Sequence, residues 1–187
     1  VRISVGQASG RIAVLSFDEV NRTVGHSHPH VVSEFGPKVT RPCNDIAYHR
    51  TKPEIFAAAY ERSRHDYAIL LFDNSRGYSQ AGKEHSTGTV STESLQGSGF
   101  SQSQQSLKSF QSTIVNTDAI PAITEIEHGS TCHSLSWFRD EPDTLCAGIN
   151  VKYLKVFDIR NADGLHTGKA SIQTNTKAVY GVCVDPW

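Results

Sequence analysis

The chain has 187 residues, 18 basic and 19 acidic side chains, and a formal net charge of −1. This balance argues against a dedicated binder of nucleic acid or of an anionic membrane, since such proteins usually carry a basic excess. Uncharged apolar runs such as IFAAAY (55–60) are far shorter than the roughly 20 residues of a membrane-spanning helix, so we expect no direct membrane insertion.

Short apolar or alternating runs follow one another along the chain, separated by Gly, Pro, Asn and Asp. No stretch keeps the three-and-four spacing of an amphipathic helix, and the pattern is typical of an all-β protein. Three runs end in the same way, with Phe-Asp: GRIAVLSFD (10–18), DYAILLFD (66–73) and YLKVFDI (153–159).

Each Phe-Asp ending closes a unit of three predicted strands. The first unit keeps two of them, RISVGQAS (2–9) and GRIAVLSFD (10–18). The second and third units are complete: CNDIAYH (43–49), EIFAAAY (54–60) and DYAILLFD (66–73), then CHSLSWF (132–138), TLCAGI (144–149) and YLKVFDI (153–159). A fourth unit begins with the run AVYGVCVDPW (178–187).

A more variable fourth strand is predicted to follow each unit, at HVVSEF (30–35), AIPAITEI (119–126) and KASIQT (169–174). Four antiparallel strands in a repeat form the blade of a β-propeller. Cys132 and its equivalent Val179 are 47 residues apart, close to the roughly 40–45 of a WD-type blade. The sequence therefore predicts an incomplete WD40-type β-propeller over 1–187, with about two full blades and parts of two others.

The second Phe-Asp and the third are 85 residues apart, which is one blade plus a surplus of about 40 residues. The surplus lies in residues 74–118, a segment rich in Ser, Gln and Gly with few branched apolar residues. Such a composition buries too little surface to offset its ordering entropy. We expect a disordered insertion between the third and fourth strands of a blade, and its many hydroxyls are candidates for phosphorylation.

The repeated Phe-Asp has a structural explanation. The third strand of a blade has room for a large aromatic side chain near its end, here Phe72 or Phe157, and the following Asp can accept backbone hydrogen bonds in the turn. The Ala and Gly of FAAAY (56–60) and LCAGI (145–149) suit crowded packing near the inner strand. The WD40 consensus has Trp-Asp at this place, so these are degenerate repeats.

Four segments carry a more specific resemblance: SVGQASGRIAVLSF (4–17), EFGPKVTRPCNDIAYH (34–49), FDIRN (157–161) and NTKAVYGVCVDPW (175–187). In order and spacing they resemble the amino-terminal propeller of the Mios (missing oocyte) family. The resemblance covers most of the chain except the insertion. It implies a non-enzymatic scaffold subunit of the GATOR assembly, which promotes TOR kinase signalling in response to amino acids.

The resemblance further implies partners and a location. The partners are other WD-repeat subunits, including nucleoporin-type propellers, and the location is cytoplasmic with association to the lysosomal surface through the complex. The family's zinc-binding RING-like region has no counterpart here, so no metal or cofactor is expected. A WD adaptor of a membrane-traffic coat or of a ubiquitin ligase remains an alternative. A propeller enzyme would need polar groups converging at the channel mouth, and no convincing set is found.

Two polar segments are candidate sites. In GHSHPH (25–30), His26, His28 and His30 alternate on an extended segment and could bind a transition metal, although a solvated loop is the stronger interpretation. The segment YERSRHDY (60–67) places five charged or titratable residues together: Glu61, Arg62, Arg64, His65 and Asp66. We interpret it as the turn between second and third strands, braced by His65 or Asp66 and also suited to contact a partner.

Other features favour structural roles. GQASGR (6–11) matches no phosphate-binding pattern and predicts a hairpin turn, and Trp137 is expected in the core. No Ser, His and Asp combine into a recognisable hydrolase motif. The chain has four widely spaced cysteines, which are expected to be small buried residues: Cys43, Cys132, Cys146 and Cys183. The absence of methionine and the strand-like runs at both ends predict a piece of a longer protein.

Overall fold

The computed structural model describes residues 2–17, 30–64, 66–77, 119–150, 152–161, 168–174 and 179–185. They contain eleven strands, which form three antiparallel sheets. The first sheet contains β1 (Arg2–Gly6), β2 (Ile12–Ser16) and β3 (His30–Phe35). The second contains β4 (Cys43–Tyr48), β5 (Ile55–Tyr60), β6 (Tyr67–Asp73) and β7 (Thr124–His128). The third contains β8 (Cys132–Trp137), β9 (Thr144–Ile149), β10 (Tyr153–Asp158) and β11 (Ala170–Gln173).

Each sheet is one blade of a WD40-type propeller, and consecutive strands are hydrogen-bonded neighbours within it. The predicted fold class is confirmed: two blades have four strands, and the first blade has three among the described residues. The described sheets do not close into a ring. The incomplete first unit corresponds to β1 and β2, with β3 as its outer strand.

The second blade explains why its strands read as continuous apolar runs. Along β5, Phe56, Ala58 and Tyr60 pack toward the first blade, with Ile12 and Phe35 among their neighbours in one core cluster. The alternate residues Ala57 and Ala59 belong to the core cluster shared with the third blade. Because successive side chains of a strand point to opposite faces, burial of both faces requires an apolar residue at every position.

Aromatic side chains fill the space between the first two blades. The ring centroids of Phe35 and Phe56 are 5.1 Å apart, and those of Phe56 and Phe72 are 5.3 Å apart. Phe72 and Phe157, the aromatic residues of two Phe-Asp endings, are both fully buried. Each packs in a hydrophobic core cluster, as expected of a large residue near the end of a third strand.

The aspartates of these endings accept hydrogen bonds from the turn that leaves the strand, as predicted. The Ser75 amide donates to Asp73 Oδ1 at 2.9 Å, and the Arg160 amide donates to Asp158 Oδ1 at 3.1 Å. The residue two positions after the Asp is the donor in both blades. In the first ending Phe17 is described and Asp18 is not.

Small residues make room where one blade meets the inner strand of the next. A Cβ atom on Gly6 of β1 would lie 2.8 Å from the Cys43 Sγ of β4. A Cβ atom on Gly148 of β9 would lie 2.8 Å from the carbonyl oxygen of Val179. Gly6 is the last residue of β1 and Gly148 the penultimate residue of β9, and their close contacts confirm the crowded packing expected near the inner strands.

Two predicted strands differ from the structure. The fourth strand of the second blade is Thr124–His128, and Ile120 instead forms a parallel bridge to Phe35 of the first blade. Residues 179–185 form no strand, although the run 178–187 was predicted as one. Their Val182 and Val184 amides donate to the side-chain oxygens of Ser134 and Ser136, both at 3.1 Å, rather than to a strand backbone.

The insertion prediction falls on residues that are mostly outside the described part of the chain, which stops at Gly77 and resumes at Ala119. Its disorder therefore stays a prediction. Both described ends contact the outer strand of the first blade. The Ser33 hydroxyl donates to Asn74 Oδ1 at 3.0 Å, and the Ile120 amide donates to the Glu34 carbonyl at 2.9 Å.

Candidate functional site

Strand alternation sorts the turns onto two sides of the blades. We call the upper face the side that carries the turns joining β1 to β2, β3 to β4, β5 to β6, β7 to β8 and β9 to β10. The lower face carries the turns joining β4 to β5 and β8 to β9. Turns on propeller faces are the parts free to contact other molecules, since the sheet faces are covered by neighbouring blades.

Arg41 connects several elements of the upper face. It lies in the β3–β4 loop and is 5% exposed, an unusual burial for an arginine. Its Nη1 donates to the Glu61 carbonyl at 3.4 Å and its Nη2 to the Tyr67 carbonyl at 2.5 Å. Its guanidinium carbon also lies 4.9 Å from the centre of the Tyr60 ring. One side chain thus holds both ends of the β5–β6 turn.

Asp66 is the counter-charge of Arg41. Its side chain is 2% exposed, and its Oδ2 lies 3.2 Å from Arg41 Nη2. Its Oδ1 accepts a hydrogen bond from the Tyr67 amide at 2.9 Å, and its carbonyl accepts one from the Gly129 amide. The carboxylate therefore compensates a buried guanidinium and closes the turn at the same time.

Burial shapes the electrostatics of this cluster. It lowers the pKa of the Arg41 guanidinium from its ordinary value, against the opposing effect of the Asp66 carboxylate. It raises the pKa of the Tyr60 hydroxyl, which donates to the Gly10 carbonyl at 3.1 Å. Tyr60 therefore stays a neutral donor, and it ties the second blade to the β1–β2 turn of the first.

The β5–β6 turn, residues 61–66, is the charged turn predicted from the sequence, and its position between second and third strands is confirmed. Glu61, Arg62 and Arg64 are exposed. Asp66 braces the turn as expected, but it is buried rather than solvated because it faces Arg41. His65 lies outside the described residues.

The other predicted features of the upper face have structural roles. GQASGR forms the β1–β2 hairpin turn, with the Gly10 amide donating to the Gln7 carbonyl at 2.9 Å. Gly10 has a φ of 86°, and a Cβ atom there would lie 2.3 Å from the Arg41 carbonyl oxygen, so only glycine fits this contact.

In the third blade, different residues connect neighbouring turns of the upper face. The Asn150 Oδ1 accepts from the Thr131 amide at 3.0 Å, and the Asn150 amide donates to the Thr131 carbonyl at 2.7 Å. Nearby, the buried Glu127 accepts hydrogen bonds from Lys155 Nζ at 2.8 Å and from the Ser130 hydroxyl at 2.9 Å. In both blades a polar side chain of one turn satisfies the backbone of its neighbour.

Side chains also link the inner strands of successive blades. Asp45 Oδ2 of β4 accepts hydrogen bonds from the Leu135 amide at 2.8 Å and the Ser134 hydroxyl at 3.0 Å. Ser134 in turn accepts from the Val182 amide. Backbone donors near the propeller axis that lack a strand partner are thereby satisfied by the preceding inner strand.

On the lower face, His49 and Asp143 join the second and third blades. The His49 side chain is fully buried, and its Nε2 lies 3.3 Å from Asp143 Oδ1. Because its Nδ1 accepts from the Thr51 and Lys52 amides, Nε2 carries the proton. Lys52 Nζ also donates to Asp143 at 2.8 Å, and these contacts lower the pKa of that carboxyl, with Lys52 the main cause.

Trp137 belongs to the core, as predicted. It is 2% exposed, its Nε1 donates to the Ala47 carbonyl at 3.0 Å, and its ring lies 4.7 Å from the His49 ring. The indole therefore packs between blades with its single donor satisfied.

The cysteines follow the prediction in part. Cys132 and Cys146 are buried and Cys43 is half-buried, and burial raises the pKa of the Cys43 thiol to about 12. Cys183 is exposed, contrary to the prediction, and it is the neighbouring Val182 and Val184 that are bonded to β8. All four are free thiols.

No metal centre is found among the described residues, where His, Cys, Asp and Glu form no group of three suited to a metal ion. The alternating histidines are not tested by this finding, because His26 and His28 lie outside the described ranges. Within the same ranges there is no helix with the length and hydrophobicity needed to cross a bilayer.

Sequence reasoning missed four residues that make long-range contacts: Arg41, Asp45, His49 and Asp143. Each contacts a residue that is distant in the chain, up to 94 positions away for His49 and Asp143. For Asp45 the available signal was a charged residue inside a predicted strand, CNDIAY. That signal does not name the partner.

Comparison with known proteins agrees with this geometry. The whole chain, residues 1–187, matches the family described as MIOS, WD40 repeat. The chain belongs to this family. Among curated relatives, the GATOR2 complex protein MIOS of Dictyostelium discoideum is 30% identical over 99% of this chain and 16% of its own length. The protein of the same name from Danio rerio is 28% identical over 98% of this chain and 18% of its own length.

A third relative, the GATOR2 complex protein Mio of Drosophila melanogaster, is 25% identical over 98% of this chain and 15% of its own length. The chain thus spans less than a fifth of the length of these relatives. Among solved structures, Sqt1 from Chaetomium thermophilum superposes with a TM-score of 0.51 and 14% identity, covering 99% of this chain and 36% of that one. This likeness concerns the fold alone. Membership of the MIOS family agrees with the resemblance found in the sequence.

Proposed function

We propose that this chain is part of a non-enzymatic protein-interaction scaffold. The observation that carries the proposal is the charged turn, 61–66. The buried ion pair between Arg41 and Asp66 stabilises the backbone of the turn. The charged side chains of Glu61, Arg62 and Arg64 are exposed to solvent. A turn fixed in this way can present side chains to a partner without first having to be ordered.

The assembly follows from the relatives. They are named GATOR2 complex proteins, and we propose that the protein containing this chain is a subunit of a complex of that kind. Its partners would be other WD-repeat subunits, including nucleoporin-type propellers. Its role would be to support TOR kinase signalling in response to amino acids, in the cytoplasm and at the lysosomal surface through the complex.

The first experiment is affinity purification of the full-length protein from amino-acid-fed cells, with mass spectrometry of the proteins recovered. We expect other WD-repeat subunits in near-equal amounts. Recovery of membrane-traffic coat or ubiquitin ligase components instead would contradict the assignment to a GATOR2-type complex and favour the alternative adaptor function.

A matched variant makes the experiment specific for the propeller. Phe56→Ala removes a fully buried ring between the first two blades, which costs about 3–5 kcal/mol. If these blades bind partners, recovery of the partners should fall with this variant. Unchanged recovery would place the scaffold contacts elsewhere in the protein.

A further inference from the structure

The basic side chains of the upper face fall into two groups. Arg11 Nη1 lies 3.1 Å from Glu34, Lys38 Nζ lies 2.6 Å from Glu125, and Arg41 is paired with Asp66. By contrast, three exposed side chains make no polar contact with the described part of the chain: Arg62, Arg64 and Lys152. Two of these three lie in the charged turn.

Most acidic side chains described on this face form ion pairs with the basic side chains. Glu34, Glu125 and Asp66 each compensate one of the paired cations. Glu61 is the exposed carboxylate of the charged turn itself. Among the exposed side chains of the turn, two guanidiniums therefore outnumber one carboxylate, although the whole chain has a net charge of −1.

The position of the two arginines is set by buried contacts. Arg41 donates to the carbonyls of Glu61, the first residue of the turn, and of Tyr67, which follows it. The Glu61 amide donates to the Pro42 carbonyl at 3.2 Å. A fixed backbone reduces the entropy lost when Arg62 and Arg64 bind a partner. A planar guanidinium also forms paired hydrogen bonds with a carboxylate.

An apolar side chain lies on the neighbouring loop. Val39 is 43% exposed, three residues before Pro42, to which the charged turn is hydrogen-bonded. The surface therefore combines two exposed guanidiniums with one exposed apolar side chain. Two arginines are fewer than the clusters of about 4–8 basic residues that hold proteins on anionic membranes, so the surface suits a protein ligand better than a bilayer.

We propose that Arg62, Arg64 and Val39 form a docking surface for a short acidic segment of a partner protein. Carboxylates of the segment bind the two guanidiniums, and an apolar side chain of the segment packs on Val39. This inference rests on the proposed scaffold function and names the chemistry of the partner.

The test uses the full-length protein with the charge reversals R62E and R64E combined. R50E on the lower face is the matched control, because Arg50 is also exposed and its side chain also makes no polar contact with described residues. Thermal unfolding should be the same for all three proteins, since the substituted side chains support no described contact. Cross-linking of the wild-type complex identifies the partner segment near the charged turn.

We expect R62E/R64E to bind one partner about tenfold more weakly than the wild type does, with a larger difference at low salt. R50E should bind that partner as the wild type does. A synthetic peptide of the cross-linked segment should bind the wild type, and the same peptide with its acids changed to lysine should bind R62E/R64E. Equal binding of every partner by wild type and R62E/R64E would overturn the inference and leave the scaffold proposal intact.

Two further outcomes separate the explanations. Phosphatidylserine-containing vesicles that bind wild type but not R62E/R64E, with no change in protein partners, would overturn the acidic segment in favour of a membrane. Failure of the wild type to recover any WD-repeat subunit would overturn the proposed function itself, and with it the inference that rests on it.

Discussion

Arg41 and Asp66 form a buried ion pair between two different loops of the second blade, with Nη2 and Oδ2 3.2 Å apart. Both side chains are nearly inaccessible to solvent. The pair connects the loop that enters the blade to the turn between its second and third strands, so it determines how the charged turn is displayed.

Replacing Asp66 by alanine should destabilise the propeller by about 3–5 kcal/mol, because the Arg41 charge would remain buried without compensation. Chemical denaturation of the protein measures this loss. The control is D140A, which removes an exposed carboxylate near the lower face. A loss for D66A no larger than that for D140A would show that Arg41 finds another partner or reaches water.

Replacing Asp45 by alanine should loosen the contact between the second and third inner strands. The Leu135 amide and the Ser134 hydroxyl lose their shared acceptor, at a cost of about 1–3 kcal/mol. Hydrogen exchange of the Leu135 amide should become faster. D45N keeps an acceptor oxygen and should show a smaller effect, and exchange that is unchanged in D45A would contradict the role of this carboxylate.

Replacing Gly148 by alanine should displace residues 179–185 from β8, since the new Cβ atom would lie 2.8 Å from the Val179 carbonyl oxygen. Faster exchange of the Val182 and Val184 amides, which donate to serine hydroxyls of β8, would report the displacement. Gly181→Ala is the matched control, because a Cβ atom there meets nothing within 4 Å. Equal exchange in both variants would argue against the close approach.

The Asp158 carboxyl should titrate at low pH, because hydrogen bonds from the Arg160 side chain and amide lower its pKa to about 2. A carboxyl with a lowered pKa stabilises the fold above its unfolded pKa of about 3.9. That stabilisation is lost as the pH falls through the folded pKa of about 2.

Arg160→Gln should raise the Asp158 pKa toward its ordinary value, and carbon NMR of the labelled carboxyl measures it. R50E, which changes a charge that makes no described contact with Asp158, is the control. A pKa that is the same in R160Q and wild type would exclude Arg160 as the main cause.

Much of the fold could be read from the sequence, since local patterns encode it. All eleven strands of the described residues fall within or next to predicted runs, and the two Phe-Asp endings that are fully described mark third strands as expected. The exceptions depend on neighbours: Ile120 bonds to β3 of another blade, and residues 179–185 bond to serine side chains. Neither partner can be recognised from local periodicity.

The candidate site was located in part. The charged segment 60–67 was placed correctly at a turn, because clustered charges between two apolar runs must stay near water. Its division into exposed Arg62 and Arg64 and buried Asp66 was not foreseen. That division requires Arg41, which is 25 positions earlier in the chain.

By itself, the sequence determined the repeating strands, the blade they form and the family to which the chain belongs, because alternating burial and turn residues leave a local record. Tertiary structure alone decided which charges are compensated and which remain available. Asp66 and Arg64 are two positions apart in the same turn, yet one faces a buried guanidinium and the other faces solvent. Electrostatic energy depends on distance in space, and that distance is set only when the blades pack.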